Sequence, residues 1–346
     1  MKTRLSHSAI NRYLFCGESF RLHYHQGYRP KNIGSALLFG KALDMAFEYI
    51  LTGKNVVTDK EIANEYEYFD YHWRSQYLND SIANIYLNED KYIHYSKTDL
   101  DYDLLTDEEI EEADGNNDKL SWFSLRAKGH LMIDTFKREF LPKVKKIHST
   151  QELIELENDQ GDRTIGYCDA VLEIEGYDKP IITDFKTAAK PYSEDSVQYS
   201  VQLSQYLHSL SDKYDNTRLA GYIVFLKSIA KNHEKICSKC GFDGSAGKFK
   251  TCNNIINSVR CNAEWIPTKP KALMQIIIDE IPQEVEHLVI DNIDNVNTSI
   301  KMGIFTKNVN GCKDAGYGKP CDFFELCWKK DPSKLSKREI ESENKE

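Results

Sequence analysis

One tetrapeptide and one triplet constrain this chain more than anything else in it. They are Gly166-Tyr167-Cys168-Asp169 and, fifteen positions after that aspartate, Asp184-Phe185-Lys186. Val171, Leu172 and Ile174 lead into Glu175-Gly176-Tyr177-Asp178, and Ile181 and Ile182 follow it. Apolar runs split by a Gly-containing tetrapeptide predict two strands joined by a tight hairpin. With the turn centred between Gly176 and Tyr177, Asp169 falls directly opposite Asp184, where facing side chains stand about 5 Å apart. Strand alternation then sets Lys186 on the face of Asp184 and turns Phe185 the other way, into the core.

Facing like charges destabilise a ladder unless something positive lies between them. A divalent cation answers that need, because hard ions such as Mg²⁺ take one or two carboxylates together with substrate oxygens. The plainer reading is a solvated sheet face with chance acids. The coincident register and the apolar flanks argue against it.

At 346 residues, with 20 Tyr, 15 Phe and 4 Trp, the chain can bury a core of one large domain or two smaller ones. Apolar runs such as Tyr222-Ile223-Val224-Phe225-Leu226 fall far short of a membrane span, so no membrane partner is expected. No apolar stretch follows Met1-Lys2-Thr3-Arg4-Leu5-Ser6-His7, and a cytoplasmic protein is the expectation. The net charge of −9 argues against a surface coated for nucleic acid. Much of that charge is local to an acidic run over 99–118, which leaves room for a basic groove elsewhere.

Asp169 followed by Asp184-Phe185-Lys186 resembles the signature of the PD-(D/E)XK nuclease superfamily. Gly166-Tyr167-Cys168-Asp169 stands where the RecB-like branch carries Gly-x-x-Asp. The resemblance implies an α/β fold, a mixed sheet flanked by helices, and metal-dependent hydrolysis of DNA. It implies Mg²⁺ or Mn²⁺ on Asp169 and Asp184, with the Phe185 carbonyl as a further metal contact. Lys186 would position or polarise the attacking water. Gln202 and Tyr206 resemble the Gln-x-x-x-Tyr motif of the same branch, which implies that they steady the lysine and the DNA end. Gly40 to Asp44 resembles its Gly-x-x-x-His helix, with Asp44 in place of the histidine as third metal ligand. Two exposed acids on a helix, Asp44 and Glu48, are the plainer alternative.

The first fifty residues read as helices. Ser6 or Ser8 caps one that runs past Cys16, with Ile10, Tyr13, Leu14 and Phe20 at helical spacing. A linker with Pro30 and Gly34 precedes the helix that carries Leu43 and Phe47. Further helices are expected over 61–77, over 122–140 with Pro142 as the stop, over 196–210 and over 281–304. The 196–210 helix would turn Leu203, Leu207 and Leu210 inward and align Gln198, Gln202 and Tyr206 on another face. Residues 151–157 read as an edge strand and 218–226 as a buried one.

Nine cysteines in a reducing compartment read as metal sites rather than disulfides. Cys237-x2-Cys240 with Cys252 and Cys261 can close a tetrahedral thiolate site for Zn²⁺. Gly241 suits the knuckle turn, and Trp265 can pack on the finished ribbon. The segment separates two strand signals, so it reads as an inserted zinc ribbon, with Lys248, Lys250 and Arg260 available to phosphates. Cys16 with Cys312, Cys321 and Cys327 resembles the staple of the AddB-type and CRISPR-adaptation nucleases, which implies a [4Fe–4S] cluster joining the two ends of the chain. Cys321-x5-Cys327 fits that pattern, whereas Cys312-x8-Cys321 replaces its usual Cys-x2-Cys. A four-thiolate zinc site, or fewer ligands, is the alternative. Cys168 belongs to neither group and is expected in the core beside Ala170 and Leu172.

The expected organisation is a mainly helical part over 1–150, a nuclease core with its cysteine staple over 151–232 and 268–330, the ribbon over 233–267, and a disordered tail over 331–346. The expected function is a DNA exonuclease for recombination or repair, including the phage kind, with endonuclease action as the other mode. A helicase or recombination partner and an oligomer are compatible with it. The rival reading is a non-catalytic DNA-binding or assembly module on the same fold.

Overall fold

β1 (Arg4–Ser6) ends on an extended serine that caps α1 (His7–Phe15), accepting from the Ala9 N–H at 3.2 Å. The helix expected to run past Cys16 stops there, because Cys16 is itself extended. Helical structure resumes in α2 (Gly17–Phe20) and one π-helical turn over Arg21–His25. The cause is a crossing chain: a Cβ on Gly17 would lie 2.9 Å from the backbone nitrogen of Thr306. Glu18 N–H also donates to the Thr306 carbonyl at 3.2 Å. This computed structural model describes residues 3–31, 35–58, 61–78, 122–230, 236–244, 251–265, 271–315 and 320–338. Gly34, the acidic run over 99–118, Lys248 and Lys250 lie outside these described residues.

β2 (Tyr28–Pro30), α3 (Ser35–Thr52), α4 (Glu65–Leu78) and α5 (Trp122–Thr135) follow. α5 runs into a π-helical turn over Phe136–Phe140 and a 3-10 turn over Leu141–Lys143, where Pro142 ends it. The sheet then begins with β3 (Val144–Glu157), β4 (Arg163–Ile174) and β5 (Ile181–Ala188). β4 and β5 pair as Ala170↔Thr183, Val171↔Ile182 and Leu172↔Ile181, the register predicted for the hairpin. Gly176 turns it at φ +91°, a conformation open to glycine.

α6 (Val201–Leu210) crosses to β6 (Leu219–Ala230), which lies parallel to β5 and antiparallel to β9 (Lys271–Glu280). Between β6 and β9 come the short strands β7 (Ile255–Ile256) and β8 (Val259–Arg260). α7 (Gln283–Lys301), α8 (Phe324–Lys329) and β10 (Leu335–Lys337) complete the order. The tail expected to be disordered from 331 therefore corrects in part: β10 pairs antiparallel with β2, so backbone bonds hold it.

β4 is the axis of the sheet. β3 pairs along its length on one edge. On the other edge it meets β1 in parallel at Arg163 to Ile165, then β5 at Ala170 to Leu172. Gly166 to Asp169 spans the interval where that edge changes partner.

Helices cover both faces, which makes the α/β layering. On one face Phe47, Phe136, Phe185 and Phe225 pack as a ring cluster beneath α3 and α5, with the Phe47 and Phe136 rings stacked at 4.5 Å. On the other, Leu203, Tyr206, Leu207 and Leu210 of α6 cover Val171, Ile182 and Val224. α1 docks on α7 through Ile10, Val289, Ile293 and Val296. Cys168 is fully buried as expected, but it packs with the α6 face and not with Ala170 and Leu172. β4 loses its alternation at Asp169, where its edge changes partner. Gln198 also departs from expectation. α6 begins only at Val201, capped by Ser200, and Gln198 lies before it with its amide on Asp279 at 2.8 Å.

Candidate active site and cysteine centres

β5 turns Phe185 into the ring cluster and Asp184 and Lys186 toward α6. Asp184 is 1% exposed, and the Lys186 Nζ stands 2.6 Å from its Oδ2. α6 supplies the amide that joins them. Gln202 Nε2 donates to Asp184 Oδ1 at 2.8 Å and to the Tyr206 hydroxyl at 2.6 Å, while Gln202 Oε1 accepts from Lys186 at 3.0 Å. Asp169 comes from the interval in β4. Its Oδ2 accepts from the Phe185 N–H at 2.8 Å, continuing the β4–β5 pairing by side chain where the backbone ladder stops.

Asp44, from α3, completes an electrostatic group of three acids and one lysine. Burial pushes the Asp44 carboxyl up to about 7; the charge of Asp184 adds to this and Lys186 opposes it. Asp169 is raised by burial, then by Asp184 and Asp44. Burial also raises Asp184, against Lys186. For Lys186, burial alone would favour the neutral amine, but Asp184 beside it outweighs that and the net shift is upward. The structure thus gathers Asp44, Asp169, Asp184, Lys186, Gln202 and Tyr206. Cys168 borders the group, its thiol raised by burial and the two acids, and so held protonated.

Two neighbours were not singled out from sequence. Tyr222 pairs with Asp184 across β5 and β6, and its ring centroid lies 5.9 Å from the Lys186 Nζ. Its hydroxyl shares a 2.5 Å hydrogen bond with Ser200, the residue that caps α6. A tyrosine in an aliphatic buried strand was the available signal. His7, in the first turn of α1, is pushed down to about 4 by burial and by Lys186. Nothing in its local sequence marks it.

The four ribbon cysteines converge. The ligand atoms of Cys237, Cys240, Cys252 and Cys261 all lie within 4.8 Å of one another. Cys237 and Cys261 are 3.6 Å apart, as are Cys240 and Cys252. Thiolates on one tetrahedral zinc stand about 3.8 Å apart, given zinc–sulfur bonds of about 2.3 Å. The Cys237 knuckle turns at Gly241, φ +68°, with the Lys239 and Cys240 N–H groups on the Cys237 sulfur at 3.4 Å. The wide Cys252-x8-Cys261 spacing is resolved by the β7–β8 hairpin, which loops out the excess and returns Cys261 beside Cys252. Trp265 bridges to Cys237 and packs over Gly244.

Cys16, Cys312, Cys321 and Cys327 line one cavity of about 150 Å³, together with Phe323, Phe324 and Trp328. These four sulfurs do not all lie within 4.8 Å of one another, so they surround the cavity at wider spacing than the ribbon quartet. Asn308 N–H donates to the Cys16 sulfur at 3.4 Å, and Cys321 N–H to the Cys312 carbonyl at 2.9 Å.

A family model described as PD-(D/E)XK nuclease superfamily matches residues 4–313. No curated protein matches the chain. Among solved structures, a crystal structure of a protein named "Putative exonuclease", from Eubacterium rectale, superposes at a TM-score of 0.44 with 11% identity, over 93% of this chain and 92% of that one. No described helix is long and apolar enough to cross a membrane.

Proposed function

We propose that this chain, which belongs to the PD-(D/E)XK nuclease superfamily, is a metal-dependent DNA exonuclease acting on strand ends in recombination or repair. The observation that carries the reading is the Asp184–Lys186–Gln202 cluster beside Asp169, with Asp184 buried and its partners half-buried where β4 changes partner. Uncompensated buried charge costs several kcal/mol per ion, so a fold that gathers this much of it does so for chemistry more readily than for stability.

The donor chemistry suits Mg²⁺ or Mn²⁺, and an ion would draw together three acids whose oxygens do not all lie within 4.8 Å of one another. Asp44, Asp169 and Asp184 are hard oxygen ligands; burial raises all three carboxyls, the charge of Asp184 adds to the rise of Asp44 and Asp169, and a cation among them would relieve both. The Phe185 carbonyl, next to the N–H held by Asp169, is the fourth donor in this reading. Such an ion supplies Lewis acidity toward phosphate oxygens and acidifies water. Lys186 keeps its proton beside Asp184, so it orients the nucleophile and stabilises developing negative charge instead of taking a proton. Gln202 fixes Lys186 and Asp184 relative to each other, and Tyr206 anchors Gln202.

The ribbon is proposed as a structural Zn²⁺ site, from its sulfur spacing and closed donor set. The second quartet is proposed as the ligands of a [4Fe–4S] cluster, which would place the chain in the RecB-like and AddB-like branch. A cavity lined by four separated thiols supports a cube of iron and sulfide over a single ion. An unwinding or recombination partner in the cytoplasm suits the same role.

The test is hydrolysis of end-labelled linear and closed circular DNA with Mg²⁺ or Mn²⁺, comparing wild type with Asp184→Ala. Degradation of linear DNA alone, lost in the variant, is the expected result. Cutting of both substrates would make the enzyme an endonuclease. Equal behaviour of the two proteins would end the catalytic reading.

A further inference from the structure

The β7–β8 hairpin does more than close the ribbon. Its loop, Asn257-Ser258, has φ +48° and +66°, the two positive values of a type I′ turn, so the strands reverse with no slack. Its base is pinned by Cys252 and Cys261, with Asn262 N–H on the Cys252 carbonyl at 3.0 Å and Cys261 N–H on the Asn254 carbonyl at 2.9 Å. The result is a stiff tongue. Ile255, Ile256 and Val259 are 69%, 41% and 68% exposed on it. Ile255 and Ile256 are consecutive in a strand, so they point to opposite faces: Ile256 with Val259 on one, Ile255 with Arg260 on the other.

A groove on a protein covers one face of a hairpin. A thin tongue with an exposed apolar side chain on each face, and a cation beside one of them, instead fits between flat stacked surfaces near phosphates, as apolar side chains do when they enter a base step. Charge points the same way. Residues 244–263 hold Lys248, Lys250 and Arg260 and no acidic residue, in a chain of net charge −9. Topology supplies the attachment: Tyr222 and Val224 of β6 pair with Asp184 and Lys186, and in sequence the ribbon is inserted between the paired strand ends Ala230 and Lys271. The tongue is inserted beyond the far end of the strand that flanks Asp184 and Lys186.

We propose that this hairpin is a wedge that enters the end of a DNA duplex and unpairs its terminal bases, presenting one strand to Asp169 and Asp184. The destination of that strand rests on the nuclease reading above; the unpairing does not.

The experiment compares the wild-type hairpin with a combined Ile255→Ser, Ile256→Ser and Val259→Ser variant whose zinc content is first shown to equal that of wild type. In an Asp184→Ala background, a blunt duplex carrying 2-aminopurine in its terminal pair should gain fluorescence on binding the wild-type hairpin and not the serine variant. With Mg²⁺ and Asp184 intact, the ratio of duplex to single-strand degradation should fall by about tenfold in the serine variant. Equal fluorescence and an equal ratio would overturn the wedge. So would a serine change that converts a dimer to a monomer in sedimentation while leaving fluorescence untouched, which would give the tip to a second copy of the chain. If no protein hydrolyses DNA, the nuclease reading fails, and the fluorescence still decides the wedge by itself.

Discussion

Gln202 donates to Asp184 at 2.8 Å through one end of its amide, while the other end accepts from Lys186 at 3.0 Å. A single neutral group thereby sets the distance between an acid and a base that strand alternation alone would leave free to rotate. Gln202→Leu should lower metal-dependent turnover roughly 10- to 100-fold, the size expected when a group that orients a ligand is lost, and should cost about 1–3 kcal/mol of stability because the buried Asp184 Oδ1 loses its donor. Steady-state kinetics on linear DNA checks it; a variant within twofold of wild type would show that Asp184 and Lys186 hold themselves.

Asp44 makes the metal-free protein sensitive to pH. Its folded carboxyl is raised to about 7, above its unfolded value, so the folded state binds the extra proton between those values. The contribution is therefore unfavourable above pH 7 and is relieved as pH falls toward 4. Asp44→Asn should be more stable than wild type at pH 8, by roughly 2–4 kcal/mol if the shift is fully expressed, and the gap should shrink by more than half by pH 5. Thermal melts at both pH values, with no divalent ion added, test this. A gap that is constant with pH would show that Asp44 is not held in the charged cluster.

The hairpin register was legible because the turn fixes the pairing and the side-chain period is two. Asp184 and Lys186 followed from that register and Gln202 and Tyr206 from the resemblance of their motif, whereas the expected Asp169–Asp184 pair lies one step beyond the ladder, where Asp169 accepts from the Phe185 N–H instead. What was hidden depends on distant chain. α1 breaks at Cys16 because Thr306 passes against Gly17, and Cys168 changes face where β4 changes partner. Tyr222 reaches Lys186 only through the parallel pairing of β5 with β6, a crossover that local pattern does not encode. The x8 spacing of Cys252 and Cys261 looked loose until a hairpin absorbed it.

Gly17→Ala probes that hidden crossing. The added Cβ would meet the Thr306 nitrogen at 2.9 Å and the Phe305 Cα at 3.0 Å, both backbone, so neither neighbour can rotate away. A loss of about 1–3 kcal/mol is expected from overpacking of this kind, together with weaker protection of the 305–312 segment. Denaturant melts and hydrogen exchange measure both. Unchanged protection would mean that the segment is held elsewhere.

The two cysteine quartets should lose their metals independently. Cys312→Ser, expressed and purified without oxygen, should lose iron and sulfide while keeping zinc. Cys261→Ser should do the reverse. Elemental analysis of both proteins settles it, and zinc in place of iron at the Cys312 quartet would convert the proposed cluster into a second zinc centre.

The pairing of β2 with β10 has a consequence for how the protein is made. Pro30 lies opposite Leu335, so about 300 residues separate the partners. At the usual pace of translation, the first strand waits roughly 15 to 60 seconds for its mate to be synthesised. Cys16 waits for Cys327 over the same interval. During that time the nascent chain carries a thiol and the edge of an unfinished sheet toward whatever escorts it. Pairing of β2 with β10 is therefore a late event, open to chaperones until Leu335 and its neighbours have been synthesised.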